Sequence, residues 1–220
     1  MTAKAGSRDR PDPSKRPFGG STLPWGHIDA VFLDRDGVIS EQTAFVNRPE
    51  DLVLVEGAAD AIARLNRAGL RVVVVTNQGG IAMGYLTEQD LAAIHEHMER
   101  LLGEGGAHVD AIYYCPHHAK ATVTAYLLDC SCRKPGIGLL EKARDELGID
   151  LRRSVLVGDA TTDVLAGIRA GCRTILVETG FGGKNGKATA TPDHVVADLS
   201  AAVDLILEEA TPSKPPLDPQ

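Results

Sequence analysis

The sequence predicts a doubly wound α/β fold, a parallel sheet with helices on both faces. Three observations carry that expectation. Short, nearly continuous apolar runs alternate with amphipathic segments from residue 28 to residue 210. The runs are rich in Val, Ile and Leu, as strands buried on both sides are. The segments between them carry apolar residues at helical spacing and tend to close on Gly, as crossover helices do.

The elements follow in order. "DAVFLD" (29–34) is a buried strand that runs into charge and Gly37. "AADAIARLNRAG" (58–69) is a helix ended by Gly69, and "LRVVVVTN" (70–77) is the strongest strand of the chain. "TEQDLAAIHEHMERLL" (87–102) opens on Thr87 as N-cap, with a stripe of Leu91, Ile94, Met98, Leu101 and Leu102. His95 and His97 are expected off that stripe, facing solvent. "VDAIYYC" (109–115) is a third strand and "IGLLEKARDEL" (137–147) a third helix. "SVLVGD" (154–159), "TDVLAGIRAG" (162–171) and "RTILVE" (173–178) repeat strand, helix, strand; "DHVVA" (193–197) and "LSAAVDLILEEA" (199–210) complete the series.

The ends differ in composition. Residues 1–27 and 211–220 are rich in Pro and polar residues with no apolar period, so both are expected to be flexible tails around a single domain at 28–210. A chain of 220 residues supports one domain with a substantial core. The net charge of −7, with acids spread along the chain and no basic stripe, argues against nucleic-acid and anionic-membrane partners. No apolar run is long enough to span a bilayer, and the first residues lack the apolar core of a secretory signal. A cytoplasmic monomer is expected. In that compartment thiols stay reduced, so disulfides explain clustered cysteines poorly.

Ligands of such sheets bind beyond the carboxyl ends of the strands. Those ends read Asp34-Arg35-Asp36-Gly37, then Thr76-Asn77-Gln78, then a cysteine-bearing loop, then Gly158-Asp159. Lys134 follows the loop just before a helix, and Asp163 lies one turn after Asp159. Asp34 and Asp36, two apart in extended chain, can point to one side. Two such carboxylates repel unless a proton or a cation joins them. Asp159 would complete an all-oxygen site suited to Mg²⁺. Lys134 would neutralise an anionic substrate, Thr76 would donate a hydrogen bond to it, and Asp163 would brace the set. Taken singly, D-x-D-G is a turn and a lone Lys is a surface charge. Their joint placement at the ends of separate strands favours function.

The order Asp34-x-Asp36-Gly37, Thr76, Lys134, Gly158-Asp159-x-x-x-Asp163 resembles the haloacid-dehalogenase superfamily of phosphatases, over about residues 28–208. More narrowly, "FLDRDGVI", "VVVTNQGGIA", "YYCPHH", "CSCRKP" and "SVLVGD" are similar to the branch that holds the heptose-bisphosphate and histidinol-phosphate phosphatases. The resemblance implies that Asp34 attacks phosphorus to form an aspartyl-phosphate. It implies that Asp36 protonates the leaving oxygen and later activates water. Asp159, the Asp34 carboxylate and the Asp36 carbonyl would hold Mg²⁺, with Asn77 as a further phosphate or substrate contact. A signalling receiver domain also uses Asp, Thr and Lys around Mg²⁺, but its phosphorylated Asp sits on a middle strand. The order here fits hydrolysis.

The loop "CPHHAKATVTAYLLDCSC" (115–132) carries three of the four cysteines and two of the seven histidines. Cys115, His117, Cys130 and Cys132 offer three thiolates and one imidazole, a tetrahedral shell for Zn²⁺ with no open position. Such a site is structural and would hold Lys134 over the active site. His118 is the rival imidazole. The resemblance strengthens the zinc reading, since members of both groups carry a zinc loop of this kind. A zinc-stabilised binding module is the non-enzymatic alternative. Cys172 reads as a small buried hydrophobe, and "GFGGKNGK" (180–187) as a plain loop in preference to a lining of the site mouth.

No large inserted cap is evident, so a small, open site for a sugar phosphate is expected. Within the branch the heptose 1,7-bisphosphate reading is preferred to histidinol phosphate. Arg133, next to Lys134, would reach a second phosphate or a sugar hydroxyl. Three positions depart from the branch pattern: Ala160 and Met83 stand where relatives often carry a cation, and Phe45 where they often carry Tyr.

Overall fold

The computed structural model describes residues 25–43, 45–186 and 188–210. Six strands form one parallel sheet: β1 (Ala30–Leu33), β2 (Arg71–Asn77), β3 (Ala111–Cys115), β4 (Ser154–Gly158), β5 (Arg173–Val177) and β6 (His194–Val196). Their spatial order is β3-β2-β1-β4-β5-β6. The helices between them are α1 (Ala58–Arg67), α2 (Glu88–Glu104), α3 (Gly138–Leu147), α4 (Thr161–Ala170) and α5 (Leu199–Ala210).

Strand alternation divides the core between the two faces. Val31, Leu33, Val72 and Val74 point to one face with Ile62 and Leu65 of α1, Leu91, Ile94 and Met98 of α2, and Val203 and Ile206 of α5. Phe32, Val73 and Val75 point to the other with Leu139, Leu140 and Ala143 of α3 and Ala166 of α4. The doubly wound expectation is met. Thr87 caps α2 as expected: its Oγ1 accepts from the Asp90 N–H at 3.1 Å, and Asp90 Oδ2 accepts from the Thr87 N–H at 2.8 Å.

The order of strands fixes where chemistry can occur. Leu33 pairs with Val74 on one side and Val157 on the other. One step further along, Asp34 therefore leaves the sheet between the ends of β2 and β4. That is the switch point, where the strand order turns from β2 to β4 around β1. Between β1 and α1 the described chain is a loop with one short 3₁₀ turn at Pro49–Asp51, so no cap domain covers this edge there.

The packed chain starts earlier than residue 28. Residues 1–24 of the expected N-terminal tail, and all of 211–220, lie outside the described residues. Trp25, however, is buried in the core, with the Arg173 guanidinium 4.9 Å from its ring centroid and the His194 ring at 5.7 Å. An indole body gains more by covering the β5–β6 edge than by remaining solvated.

Candidate active site

A cleft of about 280 Å³ opens at the switch point, lined by Asp34, Asp36, Thr76, Asn77, Arg133, Asp159 and Asp163 among others. Lys134 lies beneath it. Its side chain is almost wholly buried, with Nζ 2.9 Å from Asp34 Oδ2, 2.8 Å from Asp163 Oδ1 and 2.7 Å from the Val75 carbonyl. Burial alone would lower this lysine's pKa, but Asp163 and Asp34 outweigh it and hold the ammonium well above its usual range. An ion this deep is tolerable only because its donors are matched.

Asp34, Asp159 and Asp163 each bring a carboxylate oxygen to within 4.8 Å of the others. Burial pushes Asp34 up to about 6; Lys134 pulls it back, and Asp163 and Asp36 push it further up. Asp159 rises to about 7, chiefly by burial and then by the Asp34 charge, with the Phe181 N–H opposing. Asp163 Oδ1 is buried and meets the Lys134 ammonium at 2.8 Å. Buried carboxylates this crowded, with Asp34 and Asp159 both raised, suit a hard divalent cation. The Asp36 carboxylate is not part of this cluster. It turns instead to Arg35, Gln78 and Ser40.

Two glycines make the arrangement possible. Gly37 has φ +84°, and a Cβ there would lie 2.2 Å from Asp159 Oδ2; a Cβ on Gly180, φ +59°, would lie 2.1 Å from the same oxygen. The Asp159 carboxylate is pinched between two bare backbones, and the Phe181 N–H donates to Oδ2 at 2.7 Å. For the loop after β5 the sequence favours a plain connection over a lining of the site mouth. It is a wall of the site instead, with Phe181 and Asn185 lining the cleft.

Other expected residues are placed as follows. Thr76 is buried, and its Oγ1 accepts from Gln78 Nε2 at 2.8 Å. Asn77 borders the cleft, but its amide is engaged by the main chain of Lys134. Oδ1 accepts from the Lys134 N–H at 3.0 Å and Nδ2 donates to the Lys134 carbonyl at 3.1 Å. Asn77 thus holds the lysine rather than pointing at a ligand. Arg133 donates from Nη1 to the His117 carbonyl at 3.0 Å, tying the cleft to the cysteine loop.

In that loop the sulfurs of Cys115, Cys130 and Cys132 converge with His117 Nδ1, all within 4.8 Å of one another. Cys132 Sγ lies 3.1 Å from Cys115 Sγ, 3.2 Å from Cys130 Sγ and 3.3 Å from His117 Nδ1. It is His117, not His118, that joins the sulfurs. The cysteines form no disulfide. Burial raises the Cys115 and Cys132 thiols, whereas hydrogen bonds from Cys132 and the Arg133 backbone outweigh burial at Cys130 and lower it. Three sulfurs and a ring nitrogen with this convergence match a tetrahedral cation.

Three residues of the site escaped sequence reasoning: Arg35, Gln78 and His95. His95 was expected to face solvent. It is buried, with Nε2 3.4 Å from Arg35 Nη1, because it falls four residues after Leu91 and three before Met98, within the buried face of α2. That spacing was the available signal. His97, also expected to face solvent, is half-buried, with Nδ1 2.7 Å from Arg100 Nη2.

The parallel sheet and its strand-end carboxylates define a phosphatase of the HAD-like hydrolase class. The sequence model of the HAD-hydrolase-like family matches residues 131–202. A D-glycero-D-manno-heptose-1,7-bisphosphate 7-phosphatase of Thermosynechococcus vestitus is 39% identical over 191 residues, 83% of this chain and 97% of the relative. The D-glycero-beta-D-manno-heptose-1,7-bisphosphate 7-phosphatase of Vibrio cholerae is 45% identical over 69% of this chain and 82% of its own. The crystal structure of a D,D-heptose 1,7-bisphosphate phosphatase from B. bronchiseptica, complexed with magnesium and phosphate, superposes with a TM-score of 0.74. It is 37% identical and covers 83% of this chain and 100% of that one. The chain belongs to the heptose-1,7-bisphosphate 7-phosphatase family.

Proposed function

We propose that this enzyme removes the 7-phosphate of D-glycero-D-manno-heptose 1,7-bisphosphate through an aspartyl-phosphate on Asp34. The observation that carries the chemistry is the buried Asp34–Lys134–Asp163 set with Asp159 beside it. Asp34 forms the new O–P bond as the bond from phosphorus to the sugar oxygen breaks, and Asp36 gives that oxygen its proton. Asp36 then takes a proton from water, which attacks phosphorus and frees phosphate and Asp34. Lys134 holds Asp34 and offsets negative charge. The Thr76 hydroxyl, already accepting from Gln78, has its own proton to donate to a phosphate oxygen. Mg²⁺, held by Asp34, Asp159 and the Asp36 carbonyl, with Asp163 next to them, would neutralise charge on the transferring group. The magnesium and phosphate in the B. bronchiseptica relative support this assignment.

The same reading gives Zn²⁺ to Cys115, His117, Cys130 and Cys132, as a closed structural site that anchors Arg133 and Lys134. Arg133 is assigned the second phosphate. A wider recess of about 750 Å³ adjoins the cleft at Asn77, His118 and Arg133, giving room for a sugar. The described acids that line the cleft are Asp34, Asp36, Asp159 and Asp163, all within the catalytic group. None is left in the cleft to pair with the amine of histidinol phosphate, and the adjoining recess offers one acid, Asp129. We assign the enzyme to the cytoplasm as a monomer, where the thiols remain reduced. No helix of the described residues is long and apolar enough to cross a membrane.

Steady-state kinetics with Mg²⁺ test the substrate. The expected kcat/KM for the heptose bisphosphate exceeds that for histidinol phosphate by at least ~100-fold, about 3 kcal/mol of differential transition-state binding. A higher value on histidinol phosphate would overturn the assignment.

A further inference from the structure

Both oxygens of Asp36 are gripped by a buried network that the reaction scheme leaves unused. Arg35 reaches Oδ1 through Nε at 3.0 Å and Nη2 at 2.9 Å, and Oδ2 through Nη2 at 2.9 Å. Gln78 Nε2 donates to Oδ2 at 2.9 Å, and Ser40 Oγ to Oδ1 at 3.3 Å. The Arg35 side chain is 1% exposed. At its far end Nη1 meets His95 Nε2. A guanidinium only donates, so this ring nitrogen accepts and the imidazole is neutral with its proton on Nδ1. The burial of His95 and the charge of Arg35 agree, holding its pKa down at about 3.

We propose that Arg35, Gln78 and His95 form a positioning set that fixes the Asp36 carboxyl at the angle from which it passes its proton to the leaving oxygen. The geometry supplies the reason. A guanidinium held at one edge can swing about its Cδ–Nε bond and carry the carboxyl with it. His95 catches the other edge from α2. Gln78 is held in turn by Thr76 Oγ1 at 2.8 Å and accepts from Arg35 Nη2 at 3.1 Å, so its amide cannot turn freely. Three elements, β1, β2 and α2, thus fix one carboxyl. His95 does not line the cleft, so it acts only through Arg35. Preorganisation of this kind matters most for the group that moves a proton.

The inference rests on Asp36 being the proton donor, as proposed above. An alkoxide leaving from a sugar phosphate needs that proton, whereas 4-nitrophenolate leaves without one. His95→Leu removes the acceptor while keeping an apolar filling, and His95→Gln retains an acceptor. For His95→Leu, the single-turnover rate of sugar release from the heptose bisphosphate, which isolates the leaving step from the hydrolysis that also uses Asp36, is expected to fall ~10-fold or more, a fraction of what a general acid contributes. The matching rate of 4-nitrophenolate release from 4-nitrophenyl phosphate should fall less than about 3-fold, with KM on both esters little changed. His95→Gln should recover most of the loss. Equal falls on both esters, or no recovery with Gln, would overturn the positioning role. Asp36→Asn measured on the same two esters separates the causes. If it too fails to discriminate between them, the proton-donor reading is wrong and the positioning role falls with it. If it discriminates and His95→Leu does not, only the positioning role falls.

Discussion

The carboxylate centre and the thiol cluster sit side by side, yet they are held by opposite means. Asp34, Thr76 and Asp159 stand at the ends of β1, β2 and β4, and the sheet fixes their spacing through its ladder of backbone bonds. Of the thiol cluster only Cys115 stands on the sheet, as the last residue of β3; His117, Cys130 and Cys132 belong to the segment 116–137, which contains one short 3₁₀ turn at Thr124–Tyr126 and no strand. Its ends meet through side chains. The sheet ladder holds the carboxylates, whereas the loop is closed by its own side chains. Lys134 stands on the border, with its ammonium in the first region and its backbone two residues from Cys132. The two proposed metals would therefore have separable effects, one on chemistry and one on geometry.

That contrast breaks most sharply at the nucleophile. Asp34→Asn keeps shape and removes the attacking oxygen's charge, so kcat is expected to fall by ~10⁴ or more while the thermal melt stays near that of the wild type. A tenth of normal activity in that variant would exclude the aspartyl-phosphate.

On the thiol side, Cys130→Ser should cost about 2–5 kcal/mol in stability, the scale of losing a structural cross-link or metal. Bound zinc, measured by elemental analysis, should fall from close to one per chain. Activity should fall with it even in excess Mg²⁺. Full activity in zinc-free protein would show that the loop needs no anchor.

His95 supplies a pH test from outside both regions. Its pKa is depressed from the ordinary 6.5 to about 3 by burial and then by Arg35, with Asp36 opposing. The neutral ring contributes stability that is fully present above pH 6.5 and is lost as pH falls toward 3. Between pH 7 and pH 4 the loss is on the order of 3 kcal/mol. Urea unfolding should show the wild type losing that much more than His95→Gln over this interval. Parallel pH dependence of the two proteins would contradict a buried neutral ring.

The smallest expected effect sharpens the carboxylate side. Gly180→Ala would drive a methyl against Asp159, so the Mg²⁺ concentration for half-maximal binding should rise ~10-fold, about 1.4 kcal/mol. Zinc content should not change. A calorimetric titration reads the first directly.

The strands were legible because parallel strands are apolar throughout, and their order in the chain matched a known motif order. The strand-end acids were legible because a short carboxylate spacing at a turn has few other uses. The thiol cluster was legible from its spacing together with the family resemblance, and His117 was already preferred to His118; the fold brings that same set together. Arg35 stood in plain sight between Asp34 and Asp36. Its burial was hidden because nothing local shows that α2 delivers an acceptor 60 residues away. His95 was misjudged because a polar residue in an apolar stripe was assigned to solvent by type rather than by spacing. Asn77 was assigned to the ligand because a sequence shows that an amide is near a site but not which neighbour claims it. The post-β5 loop was ranked as a plain connection above a lining of the site mouth, since glycines read as freedom until their neighbours are known.

Trp25 is the only tryptophan of the chain. Its partners Arg173 and His194 are the first residues of β5 and β6, so it lies toward the amino-terminal edge of the sheet, opposite the cleft. Its fluorescence is thus an optical reporter on the last two strands. Emission should redden when that edge frays and stay constant as the cleft fills, so a single cuvette can follow unfolding without interference from turnover.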